Sequence, residues 1–197
     1  ESKETSETGE TQAFDACLDF EIEIIEPSAG YPWSPLAVRL VSEEVAPNVF
    51  AVYDENAESY GPMGYPLATS GGFVIGDEGV VLVETMINRQ LLCQLEDLVR
   101  AETDKPITHA INTSYHGDHS FGNAYLNPEV QVVQHERTAD HIALHFDEDV
   151  AFMEMGFGAD QGIAEATPVP ADIEVSDDGW SIDLGAITVE AQYHGFG

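Results

Sequence analysis

Basic side chains are nearly missing from this chain: six lysines and arginines stand against 37 aspartates and glutamates in 197 residues, a formal net charge of −31. That scarcity argues against two kinds of partner. Holding a nucleic-acid backbone or an anionic lipid surface depends on Lys and Arg neutralising the opposing charge, so neither is expected. Long apolar runs are missing too. None approaches the ~18 uncharged residues of a membrane-spanning helix, so no membrane insertion is expected. Cysteine is scarce: Cys17 and Cys93, with no CxxC pair, are too few for a disulfide framework and leave the redox compartment open. The acids are scattered along the chain, as on solvated faces. Their excess is of the halophilic type, in which salt screens self-repulsion.

No initiator methionine precedes Glu1. A removed leader would place the protein outside the cytoplasm, periplasmic or secreted; otherwise it is cytoplasmic. Asp15 stands where lipoprotein processing before Cys17 wants a small or apolar residue, so lipidation is not expected. Residues 1–12 are polar and cannot offset the entropy of ordering, which predicts a flexible acidic segment over residues 1–35 and one domain over 36–197.

Within that domain, Ala37 to Val41 and Val49 to Tyr53 read as short strands separated by Pro47 and Asn48. Gly72 to Ile75 and Val80 to Val83 flank a Gly-Asp-Glu-Gly turn and read as a hairpin of buried strands. Asn88 is placed to cap a helix running to about Thr103, in which Leu91, Leu92, Leu95, Leu98 and Val99 recur at helical spacing. Strands follow at Ile107 to Asn112 and Val130 to Gln134, with a short helix at Phe121 to Leu126 between them. An acidic helix is expected from Thr138 to about Met155, then a closing hairpin of Trp180 to Leu184 and Ile187 to Gln192. Such alternation predicts an α/β fold with helices layered on a sheet.

The chemistry concentrates in Asn112-Thr113-Ser114-Tyr115-His116-Gly117-Asp118-His119, two imidazoles and a carboxylate within four residues, directly after a strand. Nitrogen and carboxylate donors in a tight loop suit zinc and leave positions open for water. A structural loop with exposed histidines is the competing reading of the string alone.

Together with Thr69 to Ile75, Val81 to Thr85, Lys105-Pro106-Ile107 and the run to Asn123, this loop resembles the metallo-β-lactamase superfamily, over most of residues 48–197. The resemblance implies a four-layer αβ/βα sandwich with one or two zinc ions at the sheet edge. It also implies a small-molecule substrate, cleaved at an amide, ester or thioester by metal-bound hydroxide. Position by position, His116 would be a ligand of the first zinc, and Asp118 and His119 ligands of the second, with Asp118 also orienting the nucleophilic water. Three departures from the family pattern stand out. Ser114 occupies the place of the motif's first histidine, and a neutral hydroxyl is a poor zinc ligand. Glu84 replaces the aspartate that ends the second hairpin strand and would support the metal loop from behind. Finally, Glu190 to Gly197 resembles the approach to the family's next histidine ligand, so the chain reads as truncated before that residue.

Ser114, Tyr115, His135 and His194 are further candidates to line the site. His141 and His145, at i and i+4 among acids, read as a solvated helix face, and His109 as a packed histidine. Trp33, Phe73, Phe121 and Trp180 fit core packing as well as a pocket wall. The alternative to a hydrolase is a non-catalytic metal-binding or scaffold member of the same fold. Oligomeric state is not legible.

Overall fold

The structure is a computed structural model that describes residues 16–27, 30–31, 33–65 and 67–195. Strand β1 (Leu40–Ala46) turns through Pro47-Asn48 into β2 (Val49–Asp54), with Asn48 in the left-handed region at φ 63°, which asparagine tolerates. A single helical turn, α1 (Ala57–Tyr60), precedes the hairpin of β3 (Gly71–Ile75) and β4 (Val80–Val83). Helix α2 (Arg89–Glu102) then leads to β5 (Ile107–Asn112), and the short α3 (Gly117–Ser120) leads through a 3-10 turn at Phe121–Tyr125 to β6 (Gln131–His135). After α4 (Glu136–Phe157) come β7 (Ile173–Val175), β8 (Trp180–Asp183) and β9 (Thr188–Ala191).

Seven strands form one sheet in sequence order, antiparallel from β1 to β4 and parallel from β4 to β7, while β8 and β9 pair separately. Alternation sorts β4 between two cores. Val80 and Leu82 join Leu91, Leu92, Leu95 and Val99 of α2 on one face; Val81 joins Ile111, Val133, Val175 and Leu184 on the other, against the β8–β9 hairpin. A strand buried on both faces reads as a continuous apolar run, which is what Val80 to Val83 is. Helices, sheet and hairpin thus make successive layers of the α/β sandwich. No helix among the described residues is long and apolar enough to cross a membrane.

Asn88 caps α2 by accepting from Leu91 N at 2.9 Å and also donates Nδ2 to Gln161 O at 2.8 Å. Asn88→Ala is therefore expected to cost about 1–2 kcal/mol in urea unfolding, the upper part of the N-cap range because two bonds are lost.

Several expectations shift. The first strand starts at Leu40, because Pro35–Ala37 forms a 3-10 turn. Strand β7 has three residues, too few for alternation to reveal. The acidic helix is longer at both ends, running over Glu136–Phe157.

Of the segment expected to be flexible, residues 1–15 lie outside the described residues, but from Ala16 onward the chain packs on the domain. Ala16, Cys17 and Trp33 are buried. Cys17 and Cys93 form a disulfide, with Cα atoms 5.1 Å apart and a sequence separation of 76. Arg89 Nε donates to Ala16 O at 3.0 Å, and its guanidinium lies 4.5 Å over the Phe20 ring. Gln90 accepts from Glu23 N and donates to Leu36 O; Gln94 accepts from Leu40 N and donates to Val38 O. These buried amides give the strap's backbone the partners that a neighbouring strand would otherwise supply.

Candidate functional site

The parallel strands β4, β5, β6 and β7 end along one edge of the sheet, where α/β sheets place ligands. That edge carries Glu84 and Thr85, Asn112 to Ser114, His135, and Ser176 with Asp177.

The loop after β5 is set by its buried polar groups. Asn112 donates Nδ2 to His119 O at 2.8 Å, and its Oδ1 accepts from Asn123 Nδ2 at 2.7 Å and Gln134 Nε2 at 2.8 Å. The same His119 carbonyl accepts from Thr85 N at 2.9 Å and Thr85 Oγ1 at 3.2 Å. Glu84 accepts from both N and Oγ1 of Thr113. Close approach makes glycine obligatory at 122, where a Cβ would lie 1.7 Å from Thr85 O. On the β4 side, Glu84 and Met86 take φ of 67° and 71°, a costly conformation for side chains of this size.

On this frame sit the expected donors. His119 Nε2 is 3.5 Å from Asp118 Oδ2. Its Nδ1 approaches Glu84 Oε1 at 3.2 Å without hydrogen-bond alignment. Burial disfavours the charged His119 ring, but Glu84 and, secondarily, Asp118 favour it more, so its pKa lies above the usual histidine value. His116 is separate: its ring centroid is 6.5 Å from that of His119, and its Nδ1 lies 3.2 Å from Ser114 Oγ. Tyr115 packs at a tilt against His116, with centroids 4.4 Å apart and planes 48° apart.

Among the described residues, the loop's histidine and aspartate donors come together as a pair and not as a cluster of three. Two ligands with zinc bonds near 2.05 Å in a tetrahedral shell lie roughly 3.3 Å apart. Asp118 Oδ2 and His119 Nε2, at 3.5 Å, match one such pair, and Ser114 Oγ with His116 Nδ1, at 3.2 Å, match another. Glu84 behind Nδ1 of His119 completes a carboxylate–histidine arrangement of the kind that orients metal-binding imidazoles.

His135 is placed differently. With Glu136 and Asp177 it offers donor atoms within 4.8 Å of one another, a cluster of which only His135 had been singled out in the sequence. Yet His135 is the N-cap of α4, and its Nδ1 accepts from Arg137 N at 3.2 Å. In the neutral ring that puts the proton on Nε2, which faces Asp177 Oδ1 at 3.1 Å, so no lone pair is left there for a cation. Arg137 on the other Asp177 oxygen adds a positive charge. This is a hydrogen-bonded cluster beside the loop. His194 is exposed, and His109, 5.7 Å from the Trp180 ring, is part-buried with its pKa lowered by that burial.

Comparison with known proteins places the chain in a family. The model of the metallo-beta-lactamase superfamily matches residues 64–197. Among solved structures, a motif mutant of a metallo-beta-lactamase from Cronobacter sakazakii is similar with a TM-score of 0.55 at 22% identity, over 77% of this chain and 53% of that one. The stereoselective inverting sec-alkylsulfatase Pisa1 from Pseudomonas sp. is similar with a TM-score of 0.54 at 16% identity, over 80% of this chain and 27% of that one. No curated protein sequence matches. The chain spans about half the length of the first of these structures. By the extent of the family match, the chain belongs to the metallo-β-lactamase superfamily.

Proposed function

We propose that this chain carries the metal loop of a zinc-dependent hydrolase acting on an amide, ester or thioester of a small molecule. The supporting observation is the pairing of Asp118 and His119 at ligand spacing, backed by Glu84, on the strand-end edge of a superfamily that includes hydrolases. Zinc bound there would act as a Lewis acid and bring the pKa of water to roughly 7. The protein's own part is to hold and orient. Asp118, beside His119, is placed to accept a hydrogen bond from the attacking water and so aim it. Glu84 fixes the His119 ring from behind. His116 and Ser114 face one another at a second donor position.

Ser114 supports a second reading, a metal-binding scaffold without turnover, since a hydroxyl contributes little to a zinc shell. Zinc titration against a competing chelator separates the two. Asp118→Asn and His116→Ala should each weaken zinc binding by about 10-fold or more, and Ser114→His should strengthen it by at least about 10-fold. Unchanged affinity in both weakening variants would refute the metal site. Zinc binding without turnover of any amide, ester or thioester in a substrate panel, by this chain and a C-terminally extended form, would leave the scaffold.

The Cys17–Cys93 disulfide supports an extracytoplasmic location, because such bonds persist in oxidising compartments.

A further inference from the structure

The loop carrying His116 is also held from outside, by rings that its own hydrogen bonds do not involve. Tyr115 has two imidazole neighbours: its ring centroid is 3.7 Å from His141, with planes 31° apart, and 4.4 Å from His116, with planes 48° apart. His141 sits in the first half of α4 and is held in turn. Its Nε2 lies 3.1 Å from Asp149 Oδ2, about two turns further along the helix, and its ring is 4.8 Å from that of His145. The Asp149 side chain is only 16% exposed, so this contact is shielded from water more than a surface pair would be. Asp149, His141, Tyr115 and His116 thus form a continuous line from a stiff helix into the metal loop.

The line does something the loop's hydrogen bonds cannot. Asn112, Thr85 and Glu84 fix the backbone at Thr113 and His119, either side of His116, but none of them touches the His116 ring. Within the loop that ring meets a small hydroxyl, Ser114 Oγ. A ring packed at a tilt against Tyr115 from a helix restricts how far Tyr115, and hence the neighbouring imidazole, can swing. His141 is itself poorly placed as a ligand, with one nitrogen engaged by Asp149 and one face covered by Tyr115.

We propose that His141 is a positioning residue for His116, acting through Tyr115 and oriented by Asp149. This rests on the zinc reading above, and the test keeps the two apart. On the full 197-residue chain, zinc affinity is measured by competition titration and ligand geometry by cobalt(II) absorption. Amide hydrogen exchange at residues 114–117 is followed without metal, with circular dichroism to verify folding. His141→Ala should weaken zinc binding about 10-fold, as loss of a group that orients a ligand does. It should also alter the cobalt(II) band and speed exchange in the metal-free loop. His141→Phe keeps a flat ring but loses the Asp149 contact, so it should restore affinity and protection in part, to about the intermediate level expected of Asp149→Asn. A folded His141→Ala protein with unchanged affinity and exchange would overturn the clamp, while a zinc loss in His116→Ala leaves the metal reading standing. Should His116→Ala and Asp118→Asn both leave zinc binding unchanged, the metal reading fails, and the metal-free exchange alone decides the clamp.

Discussion

Reducing the Cys17–Cys93 bond should lower the stability of the domain by about 4 kcal/mol, the chain-entropy value for a closed loop of this size. The bond spans 76 residues, so the unfolded chain gains much freedom when a dithiol reductant cleaves it to two thiols. The folded state loses as well. Without the staple, the strap's contacts with Arg89, Gln90 and Gln94 must pay for ordering residues 16–38 on their own. Urea unfolding with and without reductant measures the difference. A Cys17→Ser, Cys93→Ser double variant should start at the reduced protein's stability and show no response to reductant. An unmoved midpoint in the reduced wild-type chain would show that the pair is not bonded in solution.

Gly122→Ala should damage the loop's frame directly, costing about 3 kcal/mol or more, the top of the range for overpacking a rigid site. The added Cβ would meet Thr85 O at 1.7 Å and Thr85 C at 2.7 Å, backbone atoms with no rotamer to change. Neither side can withdraw. Gly122 N is bonded to Met86 O at 2.9 Å, and the chain from Glu84 to Met86 is already held at two positive φ angles. Zinc affinity should fall with stability, because the same turn supports His119. Gly156→Ala is the control: nothing lies within 4 Å of its Cβ, and helix α4 should gain about 0.5–1 kcal/mol there. Equal effects at the two glycines, in thermal or urea unfolding, would contradict the packing argument.

Much of this fold was legible because its strands are buried on both faces and its turns are strongly marked. Val80 to Val83, the Gly76–Gly79 turn, the Asn88 cap and β5 all emerge where periodicity and turn chemistry point the same way. The candidate loop stood out for a different reason, a dense local run of donors. What escaped reading is non-local. Two cysteines 76 residues apart carry no pairing signal, and the docking of the segment from Ala16 uses Arg89, Gln90 and Gln94, helix side chains that only the fold brings to it. Asp177 lies 42 residues from His135, and Asp149 becomes meaningful only once α4 brings His141 against Tyr115. Asn112, Asn123 and Gln134 could be seen as polar residues near the loop, but their mutual bonds required the strand register.

The carbonyl of His119 receives bonds from Asn112 and from both donors of Thr85. The loop's path is therefore determined by a main-chain acceptor and by residues that contribute nothing to a metal shell. Donor side chains at 114, 116 and 118 can then be exchanged without unfolding the domain. The frame and the donors it presents are separable, so a change of donor need not be a change of fold. Chemistry at this edge is free to drift on a scaffold that does not depend on it.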